Sequence, residues 1–212
     1  MEKAFIFDMD GVIIDSEPLH ASVKLAVLAE IGIRLSTSEL APYVGRTSHD
    51  FYQDIAKRFP DAHVDEAALT KRKHQLYLEL LESDGALKAI DGIPELLAKI
   101  KAAGYKIGLA TSSGREVIEI ILNRLHIAKY FDVTTSGREV PKSKPDPAIY
   151  RITAEALGVK PEDCTVIEDA TAGITAAKGA GMYCIAYKNP HSGHQDLSQA
   201  DKVITSYSEI HL

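Results

Sequence analysis

A chain of 212 residues is long enough for one large domain, or for a core plus a smaller second unit. Apolar residues make up 45% and charged residues 25%, ordinary values for a globular protein that exclude a disordered one. The net charge of -6 argues against a general nucleic-acid binder, although a local lysine or metal ion can still draw an anionic small molecule into one pocket.

Ala4 to Phe7 is continuously apolar, as expected of a strand buried on both faces of a parallel sheet. Asp8, Asp10 and Gly11 follow where that strand should end. Residues i and i+2 of an extended chain point the same way, so the two carboxylates can address one pocket. Like charges placed together are costly unless a cation or a chemical task holds them. The plain alternative is a solvated acidic turn.

Ser16 with Pro18 predicts a helix start, and Leu19, Val23, Ala26, Val27 and Ile31 form its apolar stripe up to Gly32. Ser36 and Glu39 make a capping box for a short helix, and helical stretches follow at about 48–59 and 65–81. No strand signal interrupts residues 17–82.

Gly92 to Gly104 brackets a helix, and 105–110 is an apolar strand. Ser113 and Glu116 form a second capping-box pattern for a helix through Leu125, and 131–135 is a short strand. Asp146-Pro147 caps a helix ending at Gly158; 164–167 is a strand; Thr171 caps a helix to Gly181. A strand at 183–187 and an edge strand at Val203-Ile204 complete the chain. This alternation predicts a Rossmann-like parallel α/β sheet with helices on both faces. The helical block reads as an insertion standing over the end of the first strand. The expected domains are an α/β core of residues 1–15 and 86–212 and an inserted all-α cap of residues 16–85, joined by hinges near 11–16 and 84–92.

Three later segments place polar groups just past predicted strands: Thr111-Ser112-Ser113, Ser143-Lys144-Pro145-Asp146-Pro147, and Glu168-Asp169. Taken singly, the first reads equally well as helix capping and Lys144 as a solvated lysine. Together with Asp8-x-Asp10-Gly11 they match in order and spacing the four motifs of the haloacid dehalogenase-like hydrolase superfamily, over essentially the whole chain. Asp10-Gly11-Val12, the helical insertion and Ser143 to Pro147 resemble its beta-phosphoglucomutase-like branch with a helical cap.

The resemblance implies Mg²⁺-dependent phosphoryl transfer through an aspartyl phosphate. Asp8 is then the nucleophile, which splits a difficult transfer into two easier steps. Asp10 is the general acid to the leaving oxygen and then the base toward water. Thr111 donates to a phosphoryl oxygen, Ser112 lies at the substrate, and Lys144 neutralises charge. Mg²⁺ is held by Asp8, the Asp10 carbonyl and Asp169, with Glu168 as an additional or supporting group. In the cap, His20 helps position the general acid or is simply a helix histidine, and Arg46 clamps an anionic substrate or is a surface arginine. Beside it, Val44 stands where the mutases carry a lysine and Ser48 where they carry a phosphate-binding arginine.

Lacking those two cations, the chain is expected to be a phosphatase of small phosphorylated metabolites, sugar phosphates foremost. A beta-phosphoglucomutase interconverting glucose 1- and 6-phosphate is the alternative, and a non-catalytic binding module a third reading, which the complete motif set disfavours. The cap implies opening and closing about the site. His191 and His194 lie in a loop too poor in further ligands for zinc, and Lys71 to Lys73 reads as a solvated helix face. Cys164 and Cys184 read as buried thiols of a reducing compartment. No segment has the length of a membrane span. A soluble cytoplasmic monomer without nucleic-acid or membrane partners is the expectation.

Overall fold

A computed structural model describes residues 3–43, 48–83 and 87–212. In chain order, strand β1 (Ala4–Phe7) precedes helices α1 (Glu17–Glu30), α2 (Thr37–Leu40), α3 (Ser48–Arg58), α4 (Glu66–Ser83) and α5 (Ile93–Ala102). Then come β2 (Lys106–Thr111), α6 (Arg115–Arg124), β3 (Val133–Ser136), α7 (Ala148–Leu157) and β4 (Cys164–Glu168). Helix α8 (Thr171–Gly179), β5 (Tyr183–Tyr187) and β6 (Lys202–Ile204) follow. The chain divides into two compact units, Met1–Asp15 with Ala86–Leu212, and Ser16–Gly85.

The first unit is built on a wholly parallel sheet in the order β3-β2-β1-β4-β5-β6. This is the Rossmann-like α/β architecture that the strand–helix alternation predicts. The run Ala4 to Phe7 is apolar throughout because β1 is flanked by β2 and β4, and all four residues are buried. Alternate side chains go to opposite faces. Ala4 and Ile6 join a cluster with Ile149, Tyr150 and Ala154 of α7 and with Ile174 and Ala177 of α8. Phe5 and Phe7 instead make edge-to-face contacts with Tyr105 and Phe131, at 5.4 and 6.4 Å between ring centroids. Helix α7 comes close to β2 because Gly108 has no side chain there; a Cβ would meet the Thr153 methyl at 2.7 Å.

In the second unit α4 packs against both α1 and α3. Val23, Val27 and Leu28 of α1, Phe51, Tyr52 and Ile55 of α3, and Leu69, Tyr77 and Leu81 of α4 are buried. The capping box at α2 forms as expected: Ser36 Oγ accepts from the Glu39 N–H at 3.3 Å, and Glu39 Oε2 accepts from the Ser36 N–H at 2.9 Å. Gly32 closes α1 with φ +80. Cys164 and Cys184 are free, buried thiols. Among the described residues no helix is long and apolar enough to cross a membrane.

Candidate active site

Because β2, β1 and β4 are adjacent and parallel, their carboxyl ends deliver three polar segments to one place. Asp8 directly follows β1, and its N–H still bonds to the Ile167 carbonyl at 3.0 Å, so it leaves along the strand direction. The Met9 carbonyl then accepts from Ile13 and Ile14 at 2.8 and 3.1 Å, which folds the chain back sharply. Gly11 occupies the left-handed region at φ +78, and a Cβ there would fall 2.0 Å from Asp169 Oδ2. Only glycine meets both demands. Thr111 is the last residue of β2, Glu168 the last of β4, and Asp169 the next. Asp8, Thr111, Glu168 and Asp169 are all buried.

Lys144, from the segment between β3 and α7, is the hub of the cluster. Its Nζ donates to Asp8 Oδ1 at 2.7 Å, Glu168 Oε1 at 2.7 Å and the Ala110 carbonyl at 3.0 Å. It also lies 4.9 Å from the centre of the Tyr150 ring, in cation–π range. The Tyr150 hydroxyl donates to Glu168 Oε1 at 2.9 Å, while Glu168 Oε2 accepts from the N–H groups of Asp169 and Ala170 at 2.8 and 3.0 Å. Glu168 thus spends both oxygens on four donors, and binding a cation would cost it one of them. Helix α8 can start this close because Gly173 has no Cβ; one would lie 1.6 Å from Glu168 Oε1.

Asp10 is held apart from that hub. Its Oδ2 accepts from the Ser113 hydroxyl at 2.8 Å and, more weakly, from Thr111 Oγ1 at 3.4 Å. Its Oδ1 is buried without a hydrogen-bond partner among the described residues. The Ser113 backbone is in turn fixed, its N–H on Thr111 Oγ1 at 3.1 Å and its carbonyl on Ser136 Oγ at 2.7 Å.

Burial raises the Asp8 pKa well above the carboxylate range; Lys144 opposes this, and the charges of Glu168, Asp169 and Asp10 add to it. Asp169 is pushed up to about 7, first by burial and then by Glu168, against the lowering effect of its bond from Ser192. Burial works against the Lys144 charge too, but the Asp8 and Glu168 carboxylates overcome it and hold its pKa above the usual lysine value. One lysine therefore does not settle three buried carboxylates. Asp8, Glu168 and Asp169 offer oxygens that lie within 4.8 Å of one another. Crowded, buried, oxygen-only donors, with the pKa values of Asp8 and Asp169 driven upward, suit a hard divalent cation such as Mg²⁺. Asp8 and Asp169 are the groups with lone pairs to give it.

Of the residues singled out in the sequence, Asp8, Asp10, Thr111, Lys144, Glu168 and Asp169 converge here. Ser112 is exposed just beyond β2, its backbone packed so closely on Gly137 that a Cβ there would lie 2.8 Å from the Ser112 Cα. His20 lies in α1 of the helical unit with its ring 4.3 Å from that of Tyr77. Arg46 lies outside the described residues, as does Val44.

Two capping expectations fail for one reason. Ser113 does not cap α6, whose N-cap is Gly114, and Glu116 pairs with Arg138 at 2.9 Å instead. Thr171 is inside α8, and its hydroxyl goes to Gln195 Oε1 at 3.1 Å. In both places a tertiary contact wins over the local cap. Sequence reasoning did not single out Tyr150, Asn189 or Ser192. A tyrosine on an apolar helix face and two polar residues in a loop carry no local signal; only the fold brings them to the carboxylates.

A family profile described as haloacid dehalogenase-like hydrolase matches residues 5–187. The chain is 32% identical over 209 residues to hexitol phosphatase B of Escherichia coli K12, covering 98% of this chain and 93% of that protein. It is 30% identical over 210 residues to validoxylamine A 7'-phosphate phosphatase of Streptomyces hygroscopicus subsp. limoneus, covering 99% and 96%. The crystal structure of a protein described as a putative beta-phosphoglucomutase from Thermotoga maritima superposes with a TM-score of 0.80 at 30% identity, covering 96% of this chain and 94% of that one. With the four polar segments gathered at the strand ends, these likenesses make the chain a member of the haloacid dehalogenase-like hydrolase family, within its beta-phosphoglucomutase-like branch.

Proposed function

We propose that this chain is a Mg²⁺-dependent phosphatase of small phosphorylated metabolites, sugar phosphates foremost, acting through a phosphoaspartate on Asp8. The observation that carries the reading is the separation of two carboxylates only two residues apart. Asp8 is gripped by Lys144. Asp10 is tied to Ser113, with Oδ1 left over. Carboxylates with different partners can hold different protonation states, which a nucleophile beside a general acid requires.

In the first step an Asp8 oxygen forms a bond to phosphorus as the ester oxygen leaves, and Asp10 gives that oxygen its proton. In the second, Asp10 takes a proton from water, the water oxygen attacks phosphorus, and the Asp8–phosphorus bond breaks to release phosphate. Lys144 keeps the nucleophile oriented and offsets the charge of the incoming dianion, and the Thr111 hydroxyl donates to a phosphoryl oxygen. Losing one such electrostatic contact costs on the order of 3 kcal/mol of barrier. Asp8, Asp169 and the Asp10 carbonyl would hold Mg²⁺, which when bound would supply the remaining positive charge that lets a dianion approach a carboxylate.

Relatives named for hexitol and validoxylamine phosphate hydrolysis support the substrate class. The test is phosphate release from a panel of hexose, hexitol and pentose phosphates, with Mg²⁺ and with EDTA. Mg²⁺-dependent release from one or more of them is the expected result. Interconversion of glucose 1- and 6-phosphate with little release would replace the phosphatase with a mutase. A folded protein inert toward every ester would overturn the reading.

A further inference from the structure

The loop between β5 and β6 supplies no group to the chemistry just described, yet its side chains close on the carboxylates. Asn189 is buried, and its Nδ2 donates to the Gly11 carbonyl at 2.9 Å. Its Oδ1 accepts from the His191 N–H at 2.8 Å, which turns the loop, and His191 Nδ1 pairs with Asp15. One residue on, the Ser192 hydroxyl donates to Asp169 Oδ2. Gln195 then fixes Ser192: its Nε2 donates to the Ser192 carbonyl at 2.9 Å, and its Oε1 accepts from the N–H of Thr171 at 3.0 Å. One short stretch thus grips the turn that carries Asp8 and Asp10, the carboxylate of Asp169, and the start of α8.

We infer that Ser192 is a positioning residue for the cation ligand Asp169, and that Asn189 and Ser192 together set its spacing from the Asp8 turn. The inference rests on the proposed Mg²⁺ chemistry. A carboxylate on one rotatable stem has two equivalent oxygens and several orientations. Ser192 takes one oxygen, and among the described residues no hydrogen bond holds the other. The choice of a hydroxyl matters. A lysine or arginine there would orient Asp169 equally well but would neutralise it and compete with the cation, whereas a neutral donor orients it and leaves its charge. Partners of this kind typically contribute 10–100-fold to metal affinity.

The test is calorimetric titration of the phosphate-free protein with MgCl₂, comparing wild type, Ser192→Thr and Ser192→Val. Threonine keeps the hydroxyl and valine has the same shape without it, so the pair separates the hydrogen bond from packing. Ser192→Thr is expected to bind near wild-type affinity and Ser192→Val on the order of 10-fold more weakly. The activity of Ser192→Val should recover as Mg²⁺ is raised, which a purely structural lesion would not do. If valine is not accommodated and the variant does not fold, Ser192→Ala provides the same measurement. Wild-type Mg²⁺ affinity in the hydroxyl-less variant, with wild type itself binding and hydrolysing normally, would overturn this inference alone. A wild type that takes up no Mg²⁺ would remove the proposed function and this inference together.

Discussion

In the helical unit Arg72 pairs with Glu30 at 2.8 Å and Arg58 with Glu39 at the surface, where His49 and Glu66 also share a hydrogen bond at 2.8 Å, while the buried Lys24 lies 3.8 Å from Glu17 and over the Phe51 ring. In the α/β unit Lys144 lies between Asp8 and Glu168 at 2.7 Å each, with all three side chains no more than 10% exposed. The first kind of pair gives up little hydration and contributes little. The second has lost its water, so each member depends on the others, and removing one strands a buried charge. Apart from Lys24, the charged pairs named in the helical unit finish its surface. The α/β unit carries charge at a cost to its own stability, which points to that place as the one with a task.

Four experiments would break or sharpen this contrast, beginning with the largest effect. Asp8→Asn should reduce ester hydrolysis to below about a thousandth of wild type while circular dichroism stays unchanged. Substantial residual turnover would remove Asp8 from the chemistry. Lys144→Ala, measured in EDTA, should destabilise the protein by about 3–5 kcal/mol in denaturant titration because two buried carboxylates lose their counter-charge. A loss no larger than a surface substitution produces would mean that the cluster is hydrated and the contrast false.

The third experiment follows from Asp169, whose pKa rises from an ordinary 3.8 to about 7. The folded, metal-free state holds this proton more tightly than the unfolded state, so the group's contribution to stability is largest at low pH. It declines as pH rises from 3.8 toward about 7. Mg²⁺ needs the ionised form, so the rise in Tm that it produces should grow across that window and level off above it. A Mg²⁺-induced shift that is flat between about pH 5 and 8 would contradict this. The smallest effect belongs to Arg72→Ala, which should leave Tm within experimental error. A clear drop would show the surface pairs to be more than finish.

Much of this was legible in the sequence, for reasons that differ by residue. Ala4 to Phe7 announces a central strand because a strand covered on both faces admits no polar position. Asp8 and Asp10, Glu168 and Asp169 stand out because carboxylates seldom adjoin such runs without cause. Tyr150 could not be found this way: its ring belongs to the apolar face of α7, and its single polar atom meets Glu168 only through the sheet. Ser113 was misread as a cap because the pattern is local and the competing partner, Asp10, is far away in sequence. Arg46, the proposed substrate contact of the helical unit, falls outside the described residues.

The position of β1 in the sheet has a consequence for assembly. Ala4 pairs with Lys106 on one side and Cys164 on the other, with the entire helical unit lying between Ala4 and Lys106 in the sequence. During synthesis β1 therefore leaves the ribosome long before either neighbour exists, while α1 to α4 already have their partners within one contiguous segment. The pocket of carboxylates is complete only when β4 has paired with β1, because Asp8 follows the one strand while Glu168 and Asp169 come from the end of the other.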